Sequence, residues 1–68
     1  MISLYGYDGK RVKIVDTDGK EWHGYVDFYT SKYDNEEGEG SITCRMDDPN
    51  NSYVEFMQHE VKSIEVEK

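Results

Sequence analysis

A single cysteine, Cys44, in a chain of 68 residues excludes an internal disulfide. A single proline, Pro49, leaves the rest of the chain open to regular hydrogen-bonded structure. No apolar run exceeds three residues, and MISLYGYDG has neither a basic start nor an apolar stretch, so no membrane span and no signal peptide are expected. A cytoplasmic location is the default that follows. Bases are scarce: eight Lys and Arg stand against fifteen Asp and Glu, for a formal charge of −7. Residues 1–33 balance, with Asp8, Asp16, Asp18, Glu21 and Asp27 against Lys10, Arg11, Lys13, Lys20 and Lys32, so the whole excess lies in residues 34–68. Such a chain is poorly suited to gripping a polyanion. With 35% hydrophobic residues it forms one domain with one thin core. A core of this size seldom nets more than roughly 3–5 kcal/mol, so a partner subunit is a natural source of further stability.

What is present is strand, repeated. In Lys10 to Thr17, Val12 and Ile14 alternate with Arg11 and Lys13, the period of two that marks a half-buried strand. Asp16-Thr17-Asp18-Gly19-Lys20 is a turn, with Gly19 supplying positive φ and the aspartates bonding their own backbone. Glu21 to Tyr33 then places Trp22, Gly24, Val26 and Phe28 on one face and His23, Tyr25, Asp27 and Tyr29 on the other. Gly24 in mid-strand marks a bend or the close approach of another backbone. Asp34 to Gly40 has no apolar side chain and reads as a solvated, mobile loop. Ser41 to Met46 turns Ile42, Cys44 and Met46 inward; Asp47 to Asn51 is a turn; Tyr53 to Met57 turns Val54 and Phe56 inward; Val61 to Glu67 closes the series. Only Ile2 to Tyr7 offers a short helical turn, cut off by Gly6 and Gly9.

Five short strands cannot fill two sheets, so the expected fold is all-β, a small, strongly bent antiparallel barrel spanning residues 1–68. The expected core is Leu4, Val12, Ile14, Trp22, Val26, Phe28, Ile42, Cys44, Met46, Val54, Phe56, Val61, Ile64 and Val66.

The residues of this frame resemble a known family. Val12, Ile14, Gly19, Gly24, Val26 and Tyr29 are spaced like the first motif of Sm-like (LSm and Hfq-type) proteins, and Phe56, Val61 and Ile64 like the second. The resemblance implies a bent antiparallel sheet, a short N-terminal helix, and a homo-oligomeric ring, joined through edge strands, that binds single-stranded RNA at its pore. Tyr53, Val54, Glu55, Phe56 and Met57 of one copy would then pair with Val61, Ser63 and Glu65 of the next. An RNA site would draw on Lys13, Tyr29, Tyr33, Asn35 and His59. The sequence departs where the family holds RNA: Thr30, Tyr33 and Asp34 follow Tyr29 in place of the family pattern, Asn35 falls one position late, and Met57 and Gln58 precede His59. With the net charge also opposing RNA, a protein partner is the first expectation and RNA the second.

Other chemistry has little footing. Asp16-x-Asp18-Gly19 starts like a calcium loop but lacks a third acid and the terminal Glu, so it reads as a hairpin turn. His23, Cys44 and His59 lie too far apart for a zinc pair on one element, and no metal or cofactor is expected. Cys44, the one nucleophile candidate, faces the core, so no catalytic site is expected. Six tyrosines exceed what so thin a core can hold, so several should be exposed and available to an interface.

Overall fold

The structure, a computed structural model, describes residues 3–36 and 38–67. Its strands are β1 (Arg11–Asp16), β2 (Glu21–Thr30), β3 (Ser41–Met46), β4 (Tyr53–Met57) and β5 (Val61–Val66), with one 3-10 turn at Gln58–Glu60. All pair antiparallel in a single sheet of order β4-β3-β2-β1-β5. The strand alternation in the sequence is therefore borne out as an all-β fold. Among the described residues no ladder joins β4 to β5, so the sheet is unclosed. No helix forms in the described part of the N-terminal segment, which carries a turn at Tyr5–Gly6; Ile2 lies outside the described residues.

The β1–β2 hairpin forms as its turn residues dictate. Asp16 Oδ1 accepts from the amides of Asp18 and Lys20, both at 2.9 Å, and Gly19 takes φ +84°. The other oxygen of Asp16 accepts from Trp22 Nε1 at 2.9 Å. That bond, with the backbone amides behind it, holds the Asp16 carboxyl below its ordinary range. One carboxylate thus fixes both the turn and the first aromatic of β2.

The sheet bends sharply. Ile42 pairs with both Phe56 and Tyr29, which sets Phe56 in the row of Tyr29, near the C-terminal end of β2. Trp22 lies seven residues earlier on β2, roughly 20 Å away along a flat strand. Yet the Trp22 and Phe56 rings meet edge to face at 5.4 Å between centroids. Only a sheet curled over its own inner face brings them together. Gly24 permits the curl, since a Cβ there would lie 2.5 Å from the Arg45 carbonyl oxygen. The close backbone approach expected at Gly24 is what the structure contains.

The core consists of Leu4, Val12, Ile14, Val26, Ile42, Cys44, Met46, Phe56, Val61 and Ile64, with Trp22, Tyr7, Tyr29 and Val54 packed against it partly buried. Two expected members are corrected. Phe28 is 54% exposed, because the β2–β3 register shifts between Val26 and Phe28. The extra residue inverts the alternation, turning Phe28 outward and Tyr29, expected on the outer face, inward against the core. Val66 shares the parity of Ile64 but lies at the end of an edge strand and is 47% exposed. A second register shift, between Val15 and Asp16, skips Lys62 and keeps Val61 inward with Ile64.

Candidate functional site

The outer face is built by the residues the core leaves over. Because Val12, Val26, Cys44 and Phe56 point in, Arg11, Tyr25, Arg45 and Tyr53 point out, and the register aligns them in one row: Arg11 opposite Tyr25, Tyr25 opposite Arg45, Arg45 opposite Tyr53. Arg45 places its guanidinium carbon 5.6 Å from the Tyr25 ring centroid and its Nη2 3.2 Å from Asp27 Oδ1. Arg11 Nη2 pairs with Asp47, in the turn after β3. Arg11, Tyr25, Arg45, Met46, Asp47 and Asn51 line an open groove of about 380 Å3.

Next to this row lies a second, acidic one. Lys13 sits opposite both His23 and Glu65 and holds Glu65 at 3.2 Å and Glu21 at 3.9 Å. Its bond to Glu65, reinforced by the Coulomb attraction of both glutamates, raises the ammonium above its ordinary value. His23 Nδ1 lies 3.1 Å from Glu67 Oε1. Arg11, Lys13, His23 and Arg45 are thus each matched by an acid.

Of the residues expected to hold RNA, Tyr29, Asn35 and His59 come together at one end of the sheet, around residues 39–41. Asn35 Nδ2 donates to Ser41 Oγ at 3.0 Å, and Ser41 Oγ donates to Glu55 at 3.1 Å. Glu39 accepts from the His59 amide at 2.9 Å and lies 2.6 Å from His59 Nδ1. The His59 amide first, then its ring, keeps the Glu39 carboxyl below its usual range. The Tyr29 hydroxyl stands so close to Gly40 that a Cβ there would be 2.8 Å away. Tyr33 is 86% exposed between Lys32, whose Nζ lies 5.2 Å from its ring, and the rest of the loop. Lys13 is not among them, since it projects from the opposite face of the sheet. The loop expected to be solvated throughout is instead tied down at Asn35 and Glu39; Glu37 lies outside the described residues.

Cys44 is buried, and desolvation first, then the charge of Asp27, pushes its thiol up to about 12. It is a core residue with no thiolate character near neutrality.

The residues expected at an oligomer interface occupy the two ends of the sheet. Tyr53 to Met57 form β4 and Val61, Ser63 and Glu65 lie on β5, each strand laddered on one side only among the described residues. Tyr53 is 63% exposed on the first edge, and Val66 is exposed on the second.

No protein-family model, curated protein or solved structure matches the chain. The resemblance to Sm-like proteins therefore rests on the motif residues themselves. No helix among the described residues is long and apolar enough to cross a membrane.

The outer-face row escaped the sequence reading as a unit. Its first half was within reach: pairs across the Asp16–Lys20 turn straddle it symmetrically, which sets Arg11 against Tyr25. Its second half depends on the β2–β3 register, which a long loop and a bulge leave undetermined.

Proposed function

We propose that this chain is a non-enzymatic interaction module of the Sm-like, small-barrel kind, which self-associates through its edge strands and presents the assembled surface to a protein partner. The observation that carries this reading is the position of β4 and β5 at the two ends of one bent, unclosed sheet. An edge strand offers a row of backbone donors and acceptors, and pairing β4 of one copy with β5 of the next satisfies both rows at once. Repetition of that step around a closed symmetry axis gives a ring. The partly buried Trp22, Val54 and Tyr29 at the margin of the core supply apolar area that a neighbour would cover.

RNA is the weaker reading for this chain. Lys13 stands on the opposite face from Tyr29 and is engaged by two glutamates, and assembly multiplies a negative charge that already opposes a polyanion.

Light scattering on the 8.0 kDa chain at micromolar concentration tests the proposal. The expected mass is a small-integer multiple of the monomer, returning to the monomer when Tyr53→Lys and Val66→Lys charge both edges while the far-ultraviolet spectrum keeps its β-sheet form. A monomer in the unmodified chain overturns self-association.

A further inference from the structure

Beyond self-association, the groove over Tyr25 has the chemistry of a ligand site. β1 and β3 flank β2 at about 4.8 Å each, so Arg11 and Arg45 start roughly 10 Å apart on either side of Tyr25, within mutual reach of two long side chains. Each guanidinium carries five N–H donors and, among the described residues, makes one ion pair, Arg11 with Asp47 and Arg45 with Asp27. Both arginines line the same groove, and each fork has donors that its ion pair does not use. A carboxylate, with two oxygens, saturates one fork. A phosphate monoester has three terminal oxygens and close to two negative charges, enough for both.

We propose that Arg11 and Arg45 bind the phosphate of a monoester ligand, that its ester group lies against the Tyr25 ring, and that the Asp47 carboxylate holds the anion's place until the ligand displaces it. The groove, at about 380 Å3, leaves space for an ester group beside the phosphate. Asp47 stands in the turn after β3, its amide donating to the His23 carbonyl at 3.0 Å, so its side chain can leave Arg11 without disturbing a strand. The net charge of −7 does not forbid one compact anion, because charges beyond about 8 Å are screened at physiological salt. A long polyanion would have to continue over Asp27, Glu21 and Glu65, and is excluded by them. This inference goes beyond the self-association reading and stands independently of it: the assembled mass tests one, and the titration below tests the other.

The test is a two-dimensional amide NMR titration of the intact chain with phenyl phosphate, alongside inorganic phosphate, phenol and hexauridylate. Saturable shifts at Arg11, Tyr25, Arg45 and Asn51 with phenyl phosphate are expected, with none from phenol. Arg11→Gln, Arg11→Lys and Arg45→Gln should each raise Kd about tenfold, and Asp47→Asn should lower it about threefold or more. Lys13→Gln, on the same face but outside the groove, should leave Kd unchanged, and the amide spectra show whether each variant is folded. The proposal is overturned by absence of saturable shifts, by a Kd indifferent to the arginine substitutions, by inorganic phosphate binding as tightly as phenyl phosphate, or by hexauridylate binding more tightly than either.

Discussion

The two faces of this sheet are made from the same strands by alternate residues, yet they are held in opposite ways. On the inner face, Val12, Ile14, Val26 and Ile42 are fully buried, and the backbones of β2 and β3 are pressed so close at Gly24 that no side chain fits between them. On the outer face, Arg11, Lys13, His23 and Arg45 each meet an acid from another strand, from the turn after β3 or from just past β5, and every pair has at least one member well exposed to water. Apolar burial is worth about 1.5–3 kcal/mol for a whole aliphatic side chain, whereas exposed ion pairs contribute about 0–1 kcal/mol. Stability therefore resides on the concave side. The convex side is left with charges that can change partners at little cost, which is what recognition requires.

The largest test of this contrast is Ile42→Ala. Its side chain is wholly buried between Tyr29 and Phe56, and its loss should cost about 2–5 kcal/mol, comparable to the roughly 3–5 kcal/mol of a core this size. Chemical denaturation should show the variant largely unfolded in buffer. A midpoint shift no larger than that of Lys13→Gln, which should remain within about 0.5 kcal/mol, would place stability on the wrong face.

A sharper comparison uses two adjacent aromatics. Tyr29→Ala should destabilise by about 1–3 kcal/mol and Phe28→Ala by less than about 0.5 kcal/mol, the reverse of what strict alternation along β2 predicts. Equal midpoints in urea would mean that the bulge does not persist in solution.

The smallest effect is a titration. Asp16, Glu39 and Asp48 all have folded-state pKa values below their ordinary ones, held there by Trp22, by His59 and by the Ser52 amide respectively. A depressed carboxyl stabilises the fold at every pH above its unfolded value, and that contribution disappears as pH falls from there through the folded value. Stability should decline as pH drops below about 4, and Asp16→Asn should flatten that decline. An unchanged slope would show that the turn carboxylate is not tied to Trp22.

How much of this was legible in the sequence follows from what each feature depends on. Strand positions were, because alternation and turn residues act locally: β3 and β4 begin and end where Ser41, Met46, Tyr53 and Met57 placed them. The bulge was not, since Asp27 carries no mark distinguishing it from an ordinary outward residue. Nor was the loop's anchorage, because Asn35–Ser41 and Glu39–His59 are contacts between segments whose proximity only the finished sheet creates. The arginine row shared that fate: Arg11, Tyr25 and Arg45 come from three strands, and only the β1–β2 turn fixes any of their registers from nearby sequence.

Gly24 has a consequence for descent. A lineage carrying this fold is at liberty to trade away its exposed arginines and most of its exposed acids, one position at a time, and still be built the same way. It is not at liberty to put any side chain where the Arg45 carbonyl already stands. Kinship among such chains is better sought in that obligatory void than in the charges around it.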